Sequence, residues 1–217
     1  MNHVEWIAVN TRFVRVHVQD LIDANCPYPQ WFEDCGPQYV KSPRYHWVRR
    51  LMRKHLKDGM TVLDVGGGLG AFGTYYTTVL NRHFKYVNIE WLDFVDLTQQ
   101  YFEAFNLQWD GHQAIQLDAL TEEIPFEPDT FDIVWMFGWY DSRVGFPKLF
   151  PEIFNLLKPG GMFFFNVLDT KAKPPGSKRT ISRDALEGML IKFGYDILSL
   201  HLVPGDNDYL VMCGKPK

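Results

Sequence analysis

The sequence lacks the features that mark membrane-spanning, disulfide-rich and nucleic-acid-coating proteins. No apolar run approaches the roughly 20 residues that a helix needs to cross a bilayer, and the first residues do not have the basic and then apolar layout of a signal peptide. The three cysteines, Cys26, Cys35 and Cys213, are too scattered for a disulfide framework or a zinc site. A net charge of -4 argues against wholesale coating of nucleic acid. We therefore expect a cytoplasmic protein with reduced thiols and no bound metal.

The length of 217 residues suits one structural domain with one substantial core. We expect an N-terminal arm or lid and a helix over residues 1–58, packed on a main domain over residues 59–217. Prolines after Cys26 forbid regular structure in the arm, whose rings could cover a substrate or anchor the arm to the body. These rings are Tyr28, Trp31, Phe32 and Tyr39.

Beyond residue 59, short apolar runs alternate with amphipathic stretches. The runs predict strands at Thr61–Val65, Tyr86–Glu90, Gln113–Leu117, Phe131–Phe137 and Met162–Leu168, and a closing hairpin of Tyr195–Val203 and Tyr209–Cys213. The stretches predict helices at Ala71–Leu80, at Phe94–Phe105, up to Leu157, and at Arg183–Phe193. The alternation predicts a single Rossmann-like, doubly wound α/β domain. Its seven-stranded sheet is mostly parallel, with an antiparallel C-terminal hairpin strand and helices on both faces.

A glycine-rich turn lies between the first predicted strand and helix. Asp64 ends the strand, and the turn contains Gly66, Gly67, Gly68 and Gly70. Glycine allows a sharp bend and a close approach of the backbone to a ligand. Four glycines between a strand and a helix favour a nucleotide-like cofactor over a plain tight turn.

The same segment contains a second glycine pattern. Gly68, Gly70 and Gly73 form a literal GxGxxG, and Glu90 follows at about the 20-residue spacing of dinucleotide dehydrogenases. This pattern begins several residues beyond the strand and would extend into the helix. A dehydrogenase is therefore the less favoured alternative.

Ordered motifs over about Thr61 to Leu168 resemble the class I S-adenosylmethionine-dependent methyltransferases. The motifs are Asp64-x-Gly66-x-Gly68-x-Gly70, Glu90, Asp118-Ala119, Ile124-Pro-Phe before Thr130-Phe-Asp-Ile-Val, and Leu157-Lys-Pro-Gly-Gly. The predicted C-terminal hairpin is similar to the reversed last strand of that family. The resemblance implies S-adenosylmethionine as the cofactor.

The same resemblance implies roles for individual residues. The backbone of Gly66, Gly67, Gly68 and Gly70 would pack against the methionine part of the cofactor, near Asp64. Glu90 would accept hydrogen bonds from the ribose hydroxyls, because an ionised carboxylate is purely an acceptor. Further cofactor contacts are expected from Trp91, Asp118, Ala119 and Phe137. Each acid also has a structural alternative: Asp64 could cap a helix, Glu90 could pair with a lysine, and Asp118 could start a loop.

The segment after the fourth predicted strand should lie beside the reacting methyl group. Tyr140 and Asp141 are the expected catalytic residues, because they are the nearest groups able to take or share a proton. The alternative is that Tyr140 packs and Asp141 caps a turn. The segment contains no Asn-Pro-Pro-Tyr or Asp-Pro-Pro-Tyr, so methylation of nucleic-acid bases is disfavoured.

Two basic segments bear on the substrate. The first, residues 41–57, has helical apolar spacing, and we expect its cations on the opposite, solvated face. The second is Lys171–Arg179 in a loop rich in proline and glycine. Together they favour an anionic small molecule over nucleic acid as partner, although the helix could also touch RNA or be only a solvated face.

The sequence therefore predicts an S-adenosylmethionine-dependent methyltransferase that acts on an oxygen or nitrogen of a small molecule. One alternative is aminopropyl transfer on the same scaffold, for which only Asp141 could act as the proton acceptor. Another is a non-catalytic subunit that keeps the cofactor cleft. The acceptor molecule does not follow from the sequence, because one fold serves many specificities.

Overall fold

The computed structural model describes residues 1–26, 29–30, 32–33, 41–107, 111–137, 146–169, 180–203 and 208–217. Among them are seven helices: α1 (His3–Val16), α2 (Val18–Asp23), α3 (Pro43–His55), α4 (Ala71–Thr78), α5 (Val95–Ala104), α6 (Phe146–Leu156) and α7 (Arg183–Lys192). None of these helices has the length and apolar character that crossing a membrane requires.

Eight strands accompany the helices. They are β1 (Thr61–Val65), β2 (Lys85–Glu90), β3 (His112–Gln116), β4 (Phe131–Met136), β5 (Leu157–Asp169), β6 (Thr180–Ile181), β7 (Asp196–Leu202) and β8 (Asp208–Gly214). Seven of them form a mixed sheet in the order β3-β2-β1-β4-β5-β8-β7, and β6 pairs with β5. The β7–β8 hairpin is antiparallel, and β8 runs antiparallel to β5. This architecture confirms the predicted Rossmann-like fold.

The described chain divides into two compact units. The first consists of Met1–Met60 and Gly67–Leu117, and the second of Thr61–Gly66 and Asp118–Lys217. In the first unit, β2 and β3 pair in parallel from Tyr86 opposite His112 to Glu90 opposite Gln116. In the second unit, β1, β4 and β5 are parallel neighbours.

The central strands of the second unit are buried on both faces. From Ile133 to Met136 every side chain of β4 is fully buried, and Phe163 to Phe165 of β5 are buried as well. The continuous apolar runs in the sequence predicted this, because a parallel strand covered on both faces has no polar face.

The residues before the proline-rich segment form helices α1 and α2, which the sequence did not lead us to expect. Helix α1 begins with a capping box, in which Asn2 Oδ1 accepts hydrogen bonds from the Val4 and Glu5 N–H groups while Glu5 accepts from the Asn2 N–H. Trp6 is fully buried, and its Nε1 donates to Thr74 Oγ1 at 3.2 Å. The helix is therefore an integral part of the first unit.

Helix α3 departs from the prediction at Arg49. Val48 and Met52 are buried as expected, but Arg49 is also buried, with 8% of its surface exposed. Arg49 lies three residues before Met52, so helical spacing places it on the apolar face. The pKa of His3 is lowered, mainly because His3 is partly buried and in addition because the charge of Arg49 is near.

The start of β1 depends on a carboxylate from β4. Asp132 Oδ2 accepts hydrogen bonds from the Thr61 N–H and from Lys158 Nζ, both at 2.8 Å. We expect Asp132→Ala to lower the free energy of unfolding by about 1–2 kcal/mol, because the Thr61 N–H loses its partner. Lys158→Met should cost less than about 1 kcal/mol, because Lys158 is a half-exposed partner. Urea unfolding of both variants tests this, and equal losses would assign the effect to the ion pair.

Candidate functional site

Three glycines of the turn after β1 have backbone conformations that other residues rarely adopt. Their φ angles are 71° at Gly66, 56° at Gly68 and 78° at Gly70. A side chain at positive φ is strained, so each position favours glycine for a local reason. These angles fit a sharp turn at this point, which both the cofactor-binding interpretation and the plain-turn alternative require.

Two glycines of the longer GxGxxG pattern serve packing. A Cβ atom on Gly70 would lie 2.8 Å from Phe102 Cε2, and one on Gly73 would lie 2.8 Å from Tyr86 Cε1. Gly73 is inside α4, as its position beyond the strand indicated. These glycines let α4 lie close to β2 and α5, which accounts for the pattern without a dinucleotide.

Both backbone polar groups of Gly68 are bound by side chains of β2. The Gly68 N–H donates to Glu90 Oε2 at 2.9 Å, and the Gly68 carbonyl accepts from Asn88 Nδ2 at 2.7 Å. Asn88 and Glu90 are two residues apart on one strand, so they lie on the same face. The sequence predicted a role for Glu90 but not for Asn88.

Glu90 is surrounded by backbone donors. Its Oε1 accepts from the Trp91 N–H at 2.9 Å and from the Leu92 N–H at 3.5 Å. Only 9% of Glu90 is exposed, and this burial raises the pKa of its carboxyl, opposed by the N–H groups of Gly68, Leu92 and Trp91. No lysine pairs with Glu90 among the described residues. The carboxylate is therefore held in place by the backbone.

The Glu90 carboxylate has acceptor capacity to spare. A carboxylate offers about four lone-pair positions. The described contacts use two at normal distance, from Gly68 and Trp91, and the third, from Leu92, is long. Two hydroxyl donors on neighbouring atoms could bind here without displacing the two strong backbone contacts.

A cavity of about 510 Å³ is lined in part by Trp91, Leu92 and Asp93, which follow Glu90 in the sequence, whereas Glu90 itself does not line it. This volume lies within the roughly 300–1,000 Å³ that small-molecule sites occupy. Trp91, one of the lining residues, is 46% exposed. The full lining, all in the first unit, is Asp23, Ala24, Asn25, Trp91, Leu92, Asp93 and Gln116. The sequence predicted Trp91 as a cofactor contact, which stays a prediction, and it did not indicate that the end of α2 lines the same cavity.

Phe32 lies against the glycine turn. A Cβ atom on Gly68 would be 2.6 Å from Phe32 Cε1, and the Phe32 ring packs edge-on against Phe94 with centroids 5.6 Å apart. The Phe32 carbonyl accepts from Asn10 Nδ2, and Asn10 Oδ1 accepts from the Tyr101 hydroxyl. Phe32 is thus anchored to the first unit, which was one of the two roles considered for it.

We expect Gly68→Ala to be poorly tolerated for two separable reasons. The new methyl group would collide with Phe32, and the residue would keep a φ of 56°. Together these should lower the free energy of unfolding by about 1–3 kcal/mol. Adding Phe32→Ala should relieve only the collision. Thermal unfolding of the single and double variants measures both parts, and additive losses would show that the two residues do not meet.

The remaining predicted cofactor residues lie in the second unit. Asp64 is buried on β1, opposite Trp135 in register. Asp118 opens a turn in which its Oδ1 accepts from the Leu120 N–H at 3.1 Å. Ala119 and Phe137 are buried, and the Ala119 carbonyl accepts from Lys148 Nζ at 2.7 Å. The turn at Asp118 fits the loop-starting alternative as well as a binding role.

Several predicted residues lie outside the described part of the chain. These are the catalytic candidates Tyr140 and Asp141, the arm residues Tyr28, Trp31 and Tyr39, and the whole basic segment Lys171–Arg179. Their roles stay predictions from the sequence.

Comparison with known proteins gives matches in both sequence and structure. Residues 39–200 match the family model described as "Methyltransferase domain". A sterol 24-C-methyltransferase of Candida albicans is 29% identical over 115 residues, which cover 51% of this chain and 28% of the relative. The chain therefore spans less than a third of that relative's length.

Solved structures share the fold. A SAM dependent methyltransferase from Aquifex aeolicus superposes with a TM-score of 0.63 at 20% identity, covering 82% of this chain and 92% of the other. The cyclase SpnF superposes with a TM-score of 0.67 at 17% identity, covering 79% and 81%. At these identities the likeness concerns the fold alone. The family match extends over most of the chain. This protein therefore belongs to the class I S-adenosylmethionine-dependent methyltransferase family.

Proposed function

We propose that this chain binds S-adenosylmethionine and transfers its methyl group to an oxygen or nitrogen of a small molecule. The observation that carries the proposal is Glu90, a buried carboxylate at the end of β2 whose backbone contacts leave acceptor positions for two hydroxyls. A ribose supplies two neighbouring hydroxyl donors. Membership of the methyltransferase family supports S-adenosylmethionine as the source of this ribose.

Residues of the first unit would hold the nucleoside. Glu90 would accept from the ribose hydroxyls, and Trp91 would offer a ring face in the adjoining cavity. Gly67 and Gly68 have no side chains of their own, and Phe32 lies against Gly68. From the sequence, the proposed set also includes Asp64, Gly66, Gly70, Asp118, Ala119 and Phe137.

The chemistry asks little acid-base work of the protein. The cofactor, when bound, supplies a methyl group already activated on a sulfonium. The chain must orient the acceptor, exclude water and accept a proton where the acceptor loses one. We propose Tyr140 and Asp141 for the proton. Full turnover by the double variant Tyr140→Phe, Asp141→Asn would eliminate that role.

An anionic acceptor is the proposed substrate class. Arg50, Arg53 and Lys54 are exposed on α3, whereas Arg49 is buried, so the basic surface is smaller than the sequence indicated. Attraction of an anion to such a surface weakens with salt. Substrate binding that does not depend on ionic strength would count against this class.

A second candidate is a cofactor-binding protein on the same scaffold that does not transfer a methyl group. The likeness to SpnF, which is named a cyclase, favours keeping this candidate, because that protein shares the fold. Such a protein would bind S-adenosylmethionine and give no methylated product from any acceptor. Aminopropyl transfer on the same scaffold is a separate alternative that would also give no methylated product.

Calorimetric titration with S-adenosylmethionine, S-adenosylhomocysteine and NAD tests the proposal. We expect binding of both sulfur nucleosides and none of NAD. Binding followed by a screen of anionic acceptors, read by transfer of a labelled methyl group, separates the two candidates. If neither of the two sulfur nucleosides bound, both candidate functions would be wrong.

A further inference from the structure

Asn88 is a buried polar residue on β2 whose presence calls for an explanation. It is 1% exposed, and its Nδ2 lies 2.7 Å from the Gly68 carbonyl oxygen. A carbonyl oxygen only accepts hydrogen bonds, so the amide nitrogen must face it. The Asn88 Oδ1 is buried and has no hydrogen-bond partner within the described part of the chain.

Fold stability does not account for an asparagine at this position. An amide that leaves its oxygen unsatisfied in the interior loses hydration without full compensation. A β-branched or other apolar side chain would suit an interior strand better. Asn88 makes one hydrogen bond, and its acceptor is the Gly68 carbonyl in the glycine turn.

The bond from Asn88 completes a clamp on Gly68. Glu90 holds the Gly68 N–H, and Asn88 holds the Gly68 carbonyl, so both peptide groups flanking the Gly68 Cα are fixed. Gly68 has a φ of 56°, and a glycine without these contacts populates many other conformations. A rotation of either peptide group would take the N–H away from Glu90 or redirect the turn.

We propose that Asn88 is a positioning residue for cofactor binding. It holds the Gly68 peptide so that the glycine turn and the Glu90 carboxylate are pre-organised before the ligand arrives. Pre-organisation raises affinity by removing the entropy cost of ordering the turn on binding. The inference rests on the proposed function, because it concerns the same nucleoside site.

The test compares Asn88→Leu with Asn166→Leu. Asn166 is also a buried strand asparagine, 3% exposed, and its Nδ2 donates to Asp208 Oδ2 at 2.9 Å. We expect Asn88→Leu to weaken S-adenosylhomocysteine binding about tenfold, as for one lost buried hydrogen bond. Asn166→Leu should lower the melting temperature and leave the affinity within about twofold. Asn88→Asp should also weaken binding, because a carboxylate cannot donate to the Gly68 carbonyl.

A second measurement needs no ligand. In the free protein, hydrogen exchange at the Gly68 amide should be slow in the wild type and in Asn166→Leu, and faster in Asn88→Leu. Wild-type binding with an equal affinity in Asn88→Leu would overturn this inference alone. Unchanged exchange at Gly68 would overturn the clamp, and failure of the wild type to bind either sulfur nucleoside would overturn the proposed function along with it.

Discussion

Glu90→Gln should weaken the binding of S-adenosylhomocysteine by about 100-fold, which corresponds to the loss of roughly 3 kcal/mol from hydrogen bonds to a charged acceptor. A glutamine keeps the shape of the side chain and removes its charge. One of its terminal atoms becomes an NH₂ group, which cannot accept a ribose hydroxyl. Glu90 now accepts from the Gly68 N–H on one oxygen and from the Trp91 N–H on the other. The NH₂ group of the glutamine would replace one of these oxygens, so one of the two backbone N–H groups would lose its acceptor.

The matched control is Glu103→Gln on α5, which changes the same functional group on an exposed side chain of the same unit. Calorimetric titration of both variants should show the large loss only at Glu90. Thermal unfolding without ligand should show a smaller effect of Glu90→Gln, from the displaced backbone contact. An affinity within about threefold of the wild type would remove Glu90 from the nucleoside site, because the lost bonds could not then involve it.

The sheet could be predicted from the sequence because its strands carry their own signal. The runs Thr61–Val65 and Phe131–Phe137 are mostly apolar, and each is followed by a glycine. The first and last residues of β1 and β4 could therefore be predicted nearly as observed. The position of Glu90 at the end of β2 could be predicted for the same reason, while its role in cofactor binding stays a prediction. Because the carboxyl ends of parallel strands lie at the same edge of a sheet, residues that end different strands in the sequence are expected to lie on that edge.

The missed features depend on contacts between distant parts of the chain. Asn88 lies inside a strand, where a lone polar residue gives no sign of which backbone group it will meet. Phe32 and Gly68 lie far apart in the sequence and meet only in the folded chain. The helix α1 itself had a signal in the sequence, because Asn2 and Glu5 form a capping box before Trp6.

The affinity for S-adenosylhomocysteine should fall as the pH is lowered through the pKa of Glu90. Burial raises this pKa above its ordinary value of 4.5 in the free protein, against the opposing effect of three backbone N–H groups. The ribose hydroxyls need the ionised form as acceptor, so protonation competes with binding. Above the raised pKa the affinity should be constant, and below it the affinity should drop by about tenfold per pH unit.

The sign of the effect on folding is opposite to that of most carboxylates. The folded free protein holds the Glu90 proton more tightly than the unfolded chain does, because the pKa is raised on folding. The Glu90 contribution to the free energy of unfolding therefore falls as the pH rises from 4.5 through the raised folded pKa. Bound hydroxyl donors favour the ionised form, so the stabilisation given by the ligand should grow over the same range.

Titration at a series of pH values, in two buffers with different ionisation enthalpies, measures both the affinity and the protons released on binding. In the wild type, proton release should occur only at pH values near the Glu90 pKa and below it. Glu90→Gln cannot titrate at this position, so its weaker binding should lack this dependence. If the wild type and Glu90→Gln showed the same pH profile, the titrating group would lie elsewhere and the ribose hydroxyls would not bind Glu90. A profile unique to the wild type would link the buried carboxylate directly to the ligand, because no other group changes between the two proteins.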